Sequence, residues 1–127
     1  MKGDPKKLAA LSRVADAAWA MEQAKMAALA AEETALRRKL DSLDQSRRAR
    51  ASDLSAGPDA ARLAGMDPLW ERWVDGRRSA LAAELARLKA RQEEARLRFG
   101  RAYGRKETVA KLHQRLRDEV RARKDQP

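Results

Sequence analysis

The chain of 127 residues has no cysteine, a single histidine, and one tyrosine and one phenylalanine beside its three tryptophans. Each shortage closes off a class of protein. Without cysteine there is no thiol nucleophile, no Cys-ligated zinc and no disulfide framework. A Ser-His-Asp triad has only His113 to draw on. Aromatic and β-branched residues are too few for a packed sheet. No apolar run reaches the roughly 18 residues that a spanning helix needs. The opening stretch MKGDPKKLAALSRVADAAW carries Arg13 and Asp16 where a secretory signal needs apolar residues. The expectation is a soluble, intracellular protein of one domain over residues 1–127.

What the chain has in quantity is Ala, Leu, Arg, Lys and Glu. Charged residues make up 38% of it, with 29 Lys and Arg against 19 Asp and Glu, for a net charge of +10. Joined to helical periodicity, that composition belongs to long helices and coiled coils. The four prolines and six glycines stand at few places. Gly57, Pro58, Gly65 and Pro68 interrupt the middle, so the stretch from about Ala51 to Pro68 is not one helix. A short helical piece over Asp59–Ala64 fits inside that break.

The first segment runs from about Pro5 to Arg50. Pro5 suits a first helical position, with Asp4 as its cap. Its apolar stripe is Leu8, Leu11, Ala15, Ala18, Met26, Leu29, Leu36, Leu40 and Leu43, interrupted by Glu22 and Glu33. The second segment runs from about Leu69 to Lys124, with Asp67 as cap and Pro68 as first helical residue. Its stripe is Val74, Leu81, Leu85, Leu88, Ala95, Phe99, Ala102, Val109, Leu116 and Val120. From Leu81 onward the steps alternate four and three, with Gln92, Lys106 and His113 in the polar gaps. A seven-residue repeat sustained this long is a coiled-coil signal. Gly100 and Gly104, one turn apart, mark either a soft point or a close helix contact.

Two stripes around one break predict an all-α fold, two long helices in an antiparallel coiled-coil hairpin. The expected register sets Leu43 against Val74, Leu36 against Leu81, Leu29 against Leu88, Ala18 against Phe99 and Leu8 against Val109. The last turns of the second segment then project past the first. At about 1.5 Å per residue the second segment is a rod of roughly 84 Å. A rod offers little concavity for converging polar groups, so neither an enzyme nor a cofactor is expected.

Several residues invite a functional reading. Lys111, Arg115, Arg117, Arg121, Arg123 and Lys124 cluster at the C-terminal end, beside the apolar Leu112, Leu116 and Val120. They form either a solvated helix end whose cations complement the dipole or a docking tip. Trp70 and Trp73, beside Leu69, either cap the core against Leu43, Leu54 or Leu63 or form an exposed contact patch. Trp19 reads as seam-edge core and His113 as an ordinary seam or surface histidine. Glu32, Glu33, Glu93 and Glu94 stand near Arg and Lys at helical spacing, as surface ion pairs.

The charge favours an anionic partner: nucleic acid, acidic lipid or acidic protein. Nucleic acid is set aside, because acids are interspersed with the bases and no recognition motif is present. The narrow seam is also not the broad apolar face of a helix lying in a membrane surface, and direct membrane insertion is not expected.

The stretch LAAELARLKARQEEARLRFGRAYGRKETVAKLHQRLRDE, residues 81–119, resembles the FliJ/YscO family of central stalk proteins of flagellar and type III secretion export ATPases. Phe99 and Ala102 followed by RKE, Val109, Leu112 and Arg115 carry the likeness. LAALSRVADAAWAMEQAKMAALAAEETALRRKLDSL fits the family's first helix, and MDPLWERW its aromatics after the break. The resemblance implies a cytoplasmic, non-enzymatic coiled coil, peripheral to an inner-membrane export apparatus. It implies that the joined ends of the helices enter a hexameric export ATPase. There Arg101, Arg105, Lys106, Lys111, Leu112, Arg115 and Arg117 are the candidate contacts. It also implies an export-gate contact through Leu69, Trp70 and Trp73, and export chaperones as further candidate partners. This chain is shorter than the family pattern and has a Pro/Gly-rich break. Two other readings stay open: a generic coiled-coil adaptor that dimerises through its C-terminal seam, and a basic helical nucleic-acid-binding protein.

Overall fold

The computed structural model describes residues 4–56 and 67–125. They form two helices, α1 (Pro5–Ala56) and α2 (Asp67–Lys124), packed as an all-α helical hairpin with no strand among the described residues. The start of α1 follows from its sequence. Asp4 accepts a hydrogen bond from the Lys6 amide at 2.9 Å through Oδ1. Its carbonyl accepts the Leu8 amide at 3.0 Å. Pro5, with no amide proton to leave unpaired, is the first helical residue. α1 continues six residues past the expected Arg50, because Ala51–Ala56 holds no Gly or Pro to stop it. The expected helical piece over Asp59–Ala64 lies outside the described residues.

Among the positions that α1 withdraws from solvent, Leu8, Ala9, Ala18 and Asp44 are half-buried beside the main row of Ser12, Ala15, Trp19, Glu22, Met26, Leu29, Glu33, Leu36, Leu40, Leu43, Arg47 and Arg50, buried or half-buried. The steps of the main row alternate three and four without a break, which is the seam of a coiled coil. Leu11 is therefore off the seam and 54% exposed, with Ser12 in the place expected of it. Glu22 and Glu33, expected as interruptions, stay in phase. On α2 the withdrawn positions are Trp70 and Glu71, then Val74, Leu81, Leu85, Leu88, Gln92, Ala95, Phe99, Ala102, Lys106, Val109, His113 and Leu116, the expected stripe and its expected polar gaps. Val120 is exposed.

The chain divides into two compact units, each with a stretch of both helices. In the unit made of Leu29–Arg91, the core is aliphatic: Leu29, Val74, Leu81 and Leu88 are buried. Ion pairs flank it. Arg47 reaches Glu71 at 3.1 Å and Asp75 at 2.5 Å, and Arg78 pairs with Asp44. Lys89 meets Glu33 and Arg91 meets Glu32, each at 3.1 Å. These partners correct the expected register. Leu36 and Leu88 line one shallow groove together with Glu32, Lys39, Glu84 and Arg91. Leu88 thus stands nearer Leu36 than the expected Leu29–Leu88 pairing allows, a shift of about one turn. The ion pairs across the helices agree with that shift.

The other unit joins Met1–Ala28 to Gln92–Pro127. Its fully withdrawn residues, Ala15, Ala95 and Ala102, are small, which lets helices approach closely. Trp19 packs against Phe99 with ring centroids 6.0 Å apart and planes 39° apart, where Ala18 was expected opposite Phe99. Tilted pairs of this kind suit the ring quadrupoles. The side chain of Glu22 is only 14% exposed and lies 3.7 Å from Arg98 and 3.5 Å from Lys25. Gly100 and Gly104 lie inside the unbroken α2, and a Cβ on either would meet nothing within 4 Å. They serve no close helix contact among the described residues.

Candidate partner-binding surfaces

Helical spacing sorts the basic residues of α2. Arg101, Arg105, Leu112 and Arg115 follow one another at steps of four, seven and three, so they share one stripe. That stripe lies one position to the side of the seam residues Ala102, Lys106, Val109, His113 and Leu116. All four of its residues are exposed, and none of its three arginines has an ion-pair partner among the described residues. The stripe is a row of free guanidinium groups beside an exposed leucine. The acids along the preceding turns are occupied. Glu93 is paired with Arg96 at 2.7 Å and Glu94 with Arg98 at 3.9 Å. The hydrogen bond from Arg96, reinforced by its charge, holds the Glu93 carboxyl below its ordinary range, and the same bond raises Arg96.

The other three basic-end candidates lie elsewhere. Lys106 belongs to the seam, half-buried, with its ammonium 4.0 Å from the centre of the Trp19 ring. That cation–π contact draws it inward, away from an external partner. Lys111 and Arg117 are exposed but stand to either side of the stripe. Arg117 also donates to Gln114 Oε1 at 3.2 Å, and Gln114 donates to Asp118 at 3.1 Å. The last turn is basic through Arg121, Arg123 and Lys124. His113 is half-buried, and its Nε2 has no hydrogen-bond partner.

The second surface is the start of α2, in the Leu29–Arg91 unit. Trp70 and Trp73 do not act as a pair. Trp70 is half-buried beneath the Arg50 guanidinium, 4.5 Å from its ring centre. Trp73 is 60% exposed and Leu69, one turn before it, 69% exposed. Three residues put the two rings about 60° apart around the helix, with Trp70 toward the seam and Trp73 toward solvent. Arg72 and Arg77 share the outward face with Leu69 and Trp73, at offsets of three and eight from Leu69. Both are exposed, with no ion pair among the described residues. They were missed as site residues, although their spacing from Leu69 was readable. Glu71 and Asp75, the acids of this turn, are both engaged by Arg47. Its hydrogen bond to Asp75 raises the Arg47 guanidinium above its ordinary range, against the opposing effect of lost solvation.

Among the described residues no group of three or more His, Cys, Asp or Glu residues is placed to hold a metal ion. No described helix is long and apolar enough to cross a membrane. No family model, no curated protein and no solved structure matches the chain.

Proposed function

We propose that the protein is a non-enzymatic stalk or coupling protein of a flagellar or type III protein export apparatus. In this reading it works in the cytoplasm, peripheral to the inner membrane. It inserts the free-ended side of its helical hairpin into a hexameric export ATPase and links that ring to an export-gate membrane protein. The observation that carries the reading is the stripe of Arg101, Arg105, Leu112 and Arg115, exposed and without ion-pair partners among the described residues. The likeness of residues 81–119 to the FliJ/YscO family supports it. Arginines held on a helix present fixed hydrogen-bond donors to carboxylates, and an acidic ring lining is the partner that such a stripe fits. The stalk would bias ring subunits between conformations by making different contacts in each state.

Titration into an export ATPase from the same source tests this. A saturable rise in ATP hydrolysis is expected. It should be lost in R115E/R117E, with helicity unchanged by circular dichroism. Stimulation that survives the double reversal removes Arg115 and Arg117 as ATPase contacts.

The exposure of Leu112 and Val120 favours one alternative, an adaptor that dimerises through its C-terminal end. Light scattering separates the two. A concentration-independent monomer fits the stalk, and a stable dimer fits the adaptor.

A further inference from the structure

The outward face at the start of α2 combines three features. Leu69 and Trp73 stand one turn apart and are mostly solvent-exposed. Arg72 and Arg77 share their face, also exposed and without ion-pair partners among the described residues. The acids of the same turns, Glu71 and Asp75, are both paired with Arg47, one cation to two carboxylates, and the Asp75 side chain stays 68% exposed. The result is a helix face with two apolar side chains, two free cations and no free carboxylate among them.

We infer that this face docks on an anionic lipid surface. The chemistry fits residue by residue. A tryptophan ring seats itself among lipid headgroups, with its apolar body toward the acyl chains. Leu69 sits beside it on the same face and enters the same layer. Arg72 and Arg77 bind phosphates while their methylene stems lie along the apolar boundary. This face is not the seam, so the narrowness of the seam does not bear on it. Leu69 and Trp73 together expose on the order of 300 Å², and surface lipid needs no larger apolar area, because its attraction adds up over many headgroups. Docking here is peripheral and reversible, at the depth of one helical turn, and spans nothing.

The inference shares Leu69 and Trp73 with the gate contact proposed above but does not rest on it, and its test contains neither ATPase nor gate. The full chain is sedimented at low salt with vesicles of phosphatidylcholine alone and of phosphatidylcholine with phosphatidylglycerol. Binding to the acidic vesicles only, reversed by high salt, is expected. R72E/R77E should weaken it by at least about tenfold. L69S/W73S should also weaken it, with helicity intact in both variants. Tryptophan emission should be quenched by spin-labelled lipid in the wild type and much less in W73F. Three outcomes overturn the inference. One is no binding to acidic vesicles. A second is binding that survives R72E/R77E but is lost in R115E/R117E, which assigns it to the C-terminal end. The third is indifference to vesicles together with capture of polyglutamate through Arg72 and Arg77, which makes the face a site for an acidic protein.

Discussion

Glu22 and Glu33 show how much a single side chain's setting matters. Both occupy seam positions that an apolar residue would ordinarily fill, and each has a base from α2 beside it: Arg98 for Glu22, Lys89 for Glu33. A carboxylate that is mostly withdrawn from water needs such a partner, because losing it leaves the desolvation uncompensated. Arg98→Ala should therefore lower stability by about 1 kcal/mol, with Lys25 still near Glu22 to limit the loss. Arg96→Ala, whose pair with Glu93 faces solvent, should cost visibly less. Thermal melts of the two variants check the ranking. Glu93 offers a second test. Its depressed carboxyl strengthens the fold above the ordinary glutamate range, and that contribution disappears as pH falls through the lowered value. A carboxyl-detected NMR titration should find Glu93 protonating below the ordinary range, and Arg96→Ala should return it there.

At the scale of the helix, the glycines of α2 are the clearest liability. Gly in a helix interior is worse than Ala by about 1 kcal/mol. Gly100 and Gly104 gain nothing from packing in return, because a methyl at either would meet open space. Gly100→Ala and Gly104→Ala should each raise stability by roughly 0.5–1 kcal/mol, read as a higher thermal midpoint. The two substitutions should add, since neither touches a shared partner. The helix seams were legible in the sequence to within a residue or two. Every residue of the α2 stripe from Leu81 to Leu116 is withdrawn from solvent as its spacing required. The error came where two neighbours compete for one position, Leu11 against Ser12; Ala18 and Trp19 are both half-buried, with Trp19 packed on Phe99. Spacing alone does not rank such neighbours. The helix rotation does, and it follows from the packing of the whole seam.

For the molecule as a whole, the excess of positive charge is distributed unevenly between used and free groups. Several bases are spent in pairs across the helices, Arg47, Arg78, Lys89, Arg91 and Arg98 among them. Those without an ion pair among the described residues include Arg13, Arg38, Arg48 and Arg87 as well as Arg101, Arg105 and Arg115 in one unit and Arg72 and Arg77 in the other; the last five are set apart by the exposed apolar side chains beside them. From Arg117 to Asp125 every side chain is exposed. Removing residues 117–127 should therefore leave the thermal midpoint within about 2–3 °C of the intact chain, measured by circular dichroism. Under the stalk reading the same truncation should weaken ATPase stimulation, because Arg117 and the basic last turn help to draw the helix end toward an acidic lining.

The fold class, the helix start at Pro5, the start of α2 to within one residue (Pro68 expected, Asp67 observed) and the seven-residue seam of α2 follow from the sequence by itself, because capping, proline geometry and hydrophobic spacing are local properties. The basic and aromatic ends were legible in outline for the same reason. The tertiary structure decided the pairing register, the inward fate of Lys106 and Trp70, and the exposure of Leu69, Trp73 and the arginine stripe. Each of these depends on which side chain of one helix meets which of the other. A seven-residue repeat is nearly degenerate to sliding by a turn, and charges such as Arg47 with Asp75 and Glu33 with Lys89 remove that degeneracy only once the helices are side by side.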